Sequence, residues 1–104
     1  MIIPHNKLVR DNIPDIIENS GQTANTVILD DKKYTAALEK KLKEETKEYL
    51  QSRELVELAD ILEVVEALAK NQGSSFEEVL ELKRQKQEKN GAFDKRIFLV
   101  SVKR

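Results

Sequence analysis

The sequence predicts a mostly α-helical domain: a helical hairpin and a third packing helix, with short β segments near both ends. The stretch from Lys32 to Gln51 lacks glycine and proline, and its apolar residues recur at helical spacing. The three glycines of the chain, Gly21, Gly73 and Gly91, fall where helices would stop. With 104 residues and no repeat or linker, residues 1–104 are expected to form a single domain.

The first elements follow from local signals. Pro14 suits the first turn of a short helix, and Gly21 suits its end. The segment Thr23–Leu29 is short and rich in β-branched residues, which favours a strand. Asp30 and Asp31 then offer N-caps for the long helix that forms the first half of the hairpin.

The later elements are predicted in the same way. Ser52 is expected to cap the second helix of the hairpin. Ser75, with Glu78 three residues later, forms a capping box that opens the third packing helix. The tail Ile97–Val102 has the composition of a strand, and it is expected to pair with Thr23–Leu29.

Composition argues against several classes of partner. The 18 basic and 19 acidic residues nearly cancel, so no global field favours nucleic acid or an anionic membrane. The chain contains no cysteine, which excludes disulfides and zinc–thiolate sites and fits a reducing compartment. The start MIIPHNKL lacks a basic region before an apolar one, and no stretch approaches the roughly 20 apolar residues of a membrane span. We therefore expect a soluble, cytoplasmic protein with no nucleic-acid or membrane partner.

Carboxylates interrupt the apolar stripe of the long helix. On a helical wheel, Glu45 lies about 20° from Leu38, inside the stripe. Glu48 lies at the edge of the stripe, and Glu44 faces further outward. A solvated charged face shared with nearby lysines is the plain alternative, but the position of Glu45 argues against it.

The second helix of the hairpin is apolar around most of its circumference, which is typical of a buried helix. Its acidic residues, Glu57, Asp60 and Glu63, follow one another along one side. An unpaired buried carboxylate costs several kcal/mol, so a cation must compensate or some of the acids must be protonated. Leu55–Ala69 contains no lysine or arginine, so a compensating cation would come from elsewhere in the fold or would be a divalent metal. Mg²⁺ or Mn²⁺ suits carboxylates on rigid helices, and four of them are expected to face each other across the hairpin turn: Glu45, Glu48, Glu57 and Asp60.

Basic residues near both ends are candidates for holding an anionic substrate. Lys7 and Arg10 precede the first helix, and Lys95 and Arg96 precede the final apolar segment. The chain has no glycine-rich phosphate loop, so phosphate would have to be held by metal and by basic side chains. Ordinary surface charge is the alternative for both pairs.

At these residues the chain resembles a known superfamily. Glu44, Glu45 and Glu48, followed by Glu57 and Asp60, resemble the E-E-x-x-E…E-x-x-D signature of the MazG-like all-α nucleoside triphosphate pyrophosphatases, which also include phosphoribosyl-ATP pyrophosphohydrolase. The flanking segments NKLVRDNIP and GAFDKRIFL look like the opening and closing motifs of the small house-cleaning branch. Eight residues separate Glu48 from Glu57, whereas many members have a longer insertion, so base specificity does not carry over.

The resemblance implies an enzyme that cleaves a nucleotide between its α and β phosphates and releases a monophosphate and pyrophosphate. The four acids would be the catalytic and metal-binding residues and would hold Mg²⁺, with Mn²⁺ as a substitute. One of them, or Glu44 or Glu63, would accept the proton of the attacking water. The substrate-binding residues would be Lys7, Arg10, Lys95 and Arg96.

A homo-oligomer is expected whatever the function, and two alternative functions remain open. Three helices do not cover a helix that is apolar on most sides, so the chain is expected to form a homo-oligomer, a dimer or a tetramer. Phosphoribosyl-ATP hydrolysis is an alternative enzymatic activity. A non-catalytic, oligomeric helical module with a regulatory role is the alternative outside enzymes.

Overall fold

Four α-helices and no β-strand form the fold in the computed structural model, which describes all residues 1–104. The mostly α-helical prediction is therefore confirmed. The hairpin consists of α2 and α3, and α4 packs against α3 as the predicted third helix. The helix bounds are Ile13–Asn19 for α1, Asp31–Ser52 for α2, Leu55–Asn71 for α3 and Phe76–Asn90 for α4.

The first helix, α1, forms where the proline and glycine signals place it. Pro14 lies in its first turn, and the chain leaves the helix through Ser20. Gly21 follows with φ of +91°, a conformation that a residue without a Cβ adopts at little cost. No Cα atom of α1 approaches the other three helices within 8 Å, so α1 lies outside the helical core.

The long helix α2 begins at a side-chain cap and ends at a left-handed residue. The Asp30 carboxylate accepts a hydrogen bond from the Lys33 backbone N–H at 2.8 Å, as the predicted N-cap should. At the other end Arg53 has φ of +60° and donates its backbone N–H to the Tyr49 carbonyl at 2.7 Å. This left-handed residue stops α2 and turns the chain back toward α3.

The prediction that Ser52 caps α3 is wrong. Ser52 is the last residue of α2, and Glu54 has the extended backbone of the N-cap of α3, without a side-chain cap. The reason is that an N-cap needs a non-helical backbone, and Ser52 is still helical. Its hydroxyl nevertheless accepts the Glu54 backbone N–H at 3.2 Å, so it supports the turn from the α2 side.

The fourth helix, α4, begins at the predicted serine and ends at the predicted glycine. The Ser75 hydroxyl accepts the Glu78 backbone N–H at 3.1 Å, which is one half of the capping box. The other half is absent, because the Glu78 carboxylate accepts from the Ser74 hydroxyl instead. Gly91 follows the last residue of α4 with φ of +83°.

The predicted β segments are also wrong. Thr23–Leu29 and Ile97–Val102 contain no strand and do not pair with each other. Val27 and Ile28 are 81% and 96% exposed, and Phe98 is 88% exposed. A β-branched composition favours an extended chain, but a strand also needs a neighbouring backbone that pairs with it.

The core of the single chain is small. Only 4 of the 104 residues are buried, and three of these are the apolar residues Leu38 of α2 and Val64 and Ala69 of α3. The radius of gyration is 18.5 Å, and the chain is 64 Å long. A compact domain of this size has a radius of gyration of about 13 Å, so the chain leaves much apolar surface uncovered. None of the helices combines the length and the apolar composition that a bilayer span requires.

Candidate functional site

Three carboxylates from the two helices of the hairpin meet in one cluster, formed by Glu45 of α2 with Glu57 and Asp60 of α3. One oxygen from each lies within 4.8 Å of an oxygen from each of the others. Glu45 reaches α3 because it lies on the same face of α2 as Leu38, which is buried within the hairpin. Glu57 and Asp60 are three residues apart, so both lie on one face of α3. The predicted convergence is therefore observed for these three residues.

The donor set of this cluster fits a hard divalent cation. Carboxylate oxygens are the ligands that Mg²⁺ and Mn²⁺ prefer. Bonds to Mg²⁺ are about 2.1 Å long, so adjacent oxygens around the ion lie about 3.0 Å apart and opposite oxygens about 4.2 Å apart. The oxygens of the cluster lie within 4.8 Å of one another, so the side chains would have to draw together around a bound ion. Three protein ligands also leave positions for water or substrate, as is usual for Mg²⁺.

Glu45 is the buried member of the cluster, with an exposed fraction of 7%. Burial raises the pKa of its carboxyl above the ordinary value, because the charged form loses hydration. A hydrogen bond with Glu48 and the charge of that residue raise the pKa further, and Lys41 opposes the shift. Glu45 therefore has a carboxylate whose charge is only partly compensated by the protein.

Glu57 is half-buried and shows a shift in the same direction. Loss of hydration raises the pKa of its carboxyl, and the charges of Asp60 and Glu45 raise it further. A hydrogen bond from Ser52 at 3.5 Å opposes these effects. The negative charges of Asp60 and Glu45 therefore disfavour the ionised form of Glu57, which a bound cation would favour.

Two basic side chains compensate part of that charge. Lys41 lies one turn before Glu45 on α2, with its Nζ 3.4 Å from Glu45 Oε1 and 3.5 Å from Glu44 Oε2. Arg10 comes from the segment before α1 and donates from Nη2 to Asp60 Oδ1 at 2.8 Å. The i, i+4 spacing of Lys41 and Glu45 was a usable signal in the sequence. No spacing signal exists for Arg10 and Asp60, which are separated by 50 positions.

Glu48 and most of the predicted basic ligands lie outside the cluster of three. Glu48 is exposed and adjoins Glu45, but it is not one of the three acids whose oxygens come together. Lys7, Lys95 and Arg96 are exposed and form no ion pair, and only Arg10 of the four predicted basic residues touches the cluster. The structure thus brings three of the four predicted acids together with one of the four predicted bases.

Comparisons of the chain with models of protein families, with curated proteins and with solved structures found no match. The function is therefore inferred from the residues of the cluster and from the order of motifs in the sequence.

Proposed function

We propose that this chain is a Mg²⁺-dependent nucleotide pyrophosphohydrolase that resembles the MazG-like enzymes. The observation that carries the proposal is the meeting of Glu45, Glu57 and Asp60 from two antiparallel helices, in the order of the E-E-x-x-E…E-x-x-D motif. The proposed substrate is a nucleoside triphosphate, including noncanonical ones, and the proposed products are a monophosphate and pyrophosphate. The proposal includes a cytoplasmic location, which a cysteine-free chain suits.

The roles of the acids follow from their positions. Glu45, Glu57 and Asp60 would hold the cation, which when bound neutralises phosphate charge and lowers the pKa of a water ligand. Glu48 is exposed and adjoins Glu45, and its carboxylate would accept a proton from the attacking water. Mn²⁺ would substitute for Mg²⁺, because both take oxygen ligands.

The basic residues would hold the polyphosphate. Arg10 is already beside the cluster, and Lys7 lies on the same segment. Lys95 and Arg96 lie on the C-terminal segment, which has no packing partner within the chain. Their part in substrate binding therefore requires that this segment dock near the cluster, of the same chain or of another copy.

A nucleotide panel tests the activity directly. Purified protein is incubated with Mg²⁺ and canonical or modified nucleoside triphosphates, or with phosphoribosyl-ATP, and the products are identified by phosphorus NMR. Release of monophosphate and pyrophosphate, abolished by EDTA and by Glu45→Gln, is the expected result. Activity on phosphoribosyl-ATP alone would select the alternative enzyme. If the protein binds Mg²⁺ but hydrolyses none of the substrates, the proposed enzymatic activity is wrong and the non-catalytic module is favoured.

The proposal includes a homo-oligomer, a dimer or a tetramer. Leu55, Leu58 and Leu62 lie on one face of α3 and are 81%, 38% and 51% exposed in the single chain. Contiguous apolar surface of this kind marks an interface, and a second copy would cover the face symmetrically.

Light scattering after size exclusion tests the interface. Wild-type protein is expected to elute at a multiple of 12.0 kDa. Leu62→Glu should shift it to the monomer, because the new charge would be buried without a partner. Leu82→Glu, at a 55% exposed position on α4, is the matched control and should leave the mass unchanged. A monomeric wild type at high concentration would refute the oligomer.

A further inference from the structure

The contact between Arg10 and Asp60 is the only polar link between the N-terminal segment and the helices that carry the cluster. No other hydrogen bond or ion pair joins residues 1–29 to α2, α3 or α4. The backbone of α1 also stays away from those helices. One guanidinium is therefore the only polar contact between a segment of about 29 residues and the carboxylate cluster.

The acceptor of this contact belongs to the cluster itself. Asp60 Oδ1 accepts from Arg10 Nη2 at 2.8 Å, and Asp60 is one of the three acids that share the candidate metal position. The guanidinium carries a permanent positive charge, which offsets part of the repulsion among the three carboxylates. The Arg10 guanidinium thus already contributes positive charge at the cluster where a divalent ion would bind.

We propose that Arg10 and a divalent cation compete for Asp60, so that metal binding releases the N-terminal segment and frees Arg10. The proposal rests on the proposed function, because it requires a metal site at Glu45, Glu57 and Asp60. It adds a regulatory step to that site. The N-terminal segment would be bound to the cluster when the metal is absent and released when the metal is bound.

The exposure of the two partners makes the contact easy to exchange. The side chains of Arg10 and Asp60 are 56% and 33% exposed, so water competes with the ion pair. Ion pairs of this exposure contribute little free energy. A divalent cation would instead contact oxygens of all three acids, one of which is buried. The metal is therefore expected to displace Arg10 from Asp60 at moderate concentration.

Release would also give Arg10 a second use. Its planar guanidinium presents five N–H donors, which match the oxygens of a phosphate group. While Arg10 holds Asp60, one of those donors is committed to the carboxylate. Metal loading would thus free a phosphate-binding cation that a bound substrate could draw back to the cluster, which orders metal binding before substrate binding.

Calorimetric titration with Mn²⁺ in the absence of nucleotide tests the competition. Arg10→Gln is expected to bind Mn²⁺ about threefold more tightly than wild type, because the metal no longer displaces an ion pair of this exposure. Lys70→Gln is the matched control. It removes the same charge and another exposed ion pair of α3, to Glu66 at 4.0 Å, about 15 Å along the helix from Asp60. Its Kd should equal that of wild type.

Spin labelling tests the release itself. The chain has no cysteine, so Glu18→Cys places a single nitroxide on α1, and Glu88→Cys places one on α4 as a control. Mg²⁺, which is diamagnetic, should increase the mobility of the label on α1 and leave the label on α4 unchanged. In the Arg10→Gln background, the α1 label should be mobile before Mg²⁺ is added.

The outcomes separate the two proposals. Metal binding with equal Kd in wild type and Arg10→Gln, or an α1 label unaffected by Mg²⁺, overturns the competition and leaves the metal site standing. Weaker binding by Arg10→Gln also overturns it, because Arg10 would then support the loaded state. Absence of metal binding in every variant overturns the metal site and the competition together.

Discussion

The α2–α3 hairpin and the terminal segments of this chain have similar shares of apolar residues but very different surroundings. In the hairpin, Leu38 is 2% exposed and Val64 is 7% exposed. In the C-terminal segment, Ile97 and Val100 are 80% and 86% exposed. A helix satisfies its backbone locally and needs only one packed face, whereas an extended segment needs a neighbour for both its backbone and its side chains. The difference shows that an apolar composition alone does not bury a segment, which also needs a packing surface within the chain.

The largest expected effect contrasts a hairpin leucine with a terminal one. Leu38→Ala should lower the free energy of unfolding by about 2–5 kcal/mol, because it removes a buried side chain and leaves a cavity. Leu99→Ala, at a 74% exposed position, should change it by less than about 0.5 kcal/mol. Urea denaturation of both variants measures the contrast. An equal loss for Leu99→Ala would show that the terminal segment is packed in the assembled protein.

The next effect concerns the buried acid of the hairpin. Mg²⁺ at about 100 times its Kd should stabilise wild type by about 2.7 kcal/mol, and Glu45→Gln should abolish that shift. Thermal melts with and without Mg²⁺ measure it. Glu44→Gln is the matched control and should retain the shift, because Glu44 is outside the cluster. A full shift in Glu45→Gln would exclude Glu45 as a ligand.

The same variant has a defined pH dependence in the absence of metal. Folding raises the pKa of Glu45, so its stabilising contribution is complete below the ordinary value of 4.5 and is lost as pH rises through the raised value. Glu45→Gln should therefore gain stability relative to wild type as pH rises through that window and keep the gain at neutral pH. Denaturation at several pH values measures the difference. A gain that shrinks with rising pH would contradict the sign.

A smaller effect tests whether the C-terminal segment joins the site. Lys95→Ala and Arg96→Ala are each expected to lower kcat/KM for nucleotide by roughly 10-fold, about 1.4 kcal/mol, because each would remove a phosphate contact. The Mg²⁺-induced thermal shift without nucleotide should not change. Lys103→Ala, which removes one charge from the same segment, is the control. Wild-type kinetics in both variants would assign the segment to structure alone.

The smallest effect lies at the boundary between the two regions. Asp30→Ala should cost about 1 kcal/mol, because it removes the side chain that accepts the Lys33 backbone N–H at the start of α2. Asp31→Ala should cost less, because Asp31 is the first helical residue and accepts no such bond. Urea denaturation of the pair measures the difference. Equal losses would mean that charge near the helix start matters, rather than the cap itself.

Much of the helical part of the fold could be predicted from sequence. Helical spacing and signals such as Pro14, Asp30 and Ser75 depend only on residues that are close in sequence. The structure confirms the helices that they indicate. The exception, Ser52, shows the limit of such signals. Which of several neighbouring polar residues becomes the cap depends on where the backbone turns, and here Arg53 makes that turn.

Within the candidate site, the sequence by itself determined which side of each helix carries the acids. A period of 3.6 residues per turn fixes Glu45 on the face of Leu38, and it fixes Glu57 and Asp60 on one face of α3. Only the tertiary structure decided which carboxylates meet, that Glu48 lies outside the cluster, and that Arg10 reaches Asp60. It also decided that the two β-branched segments stay unpaired. The physical reason is that helical order depends on hydrogen bonds four residues apart, whereas ion pairs and strands join groups whose approach depends on the path of the whole chain.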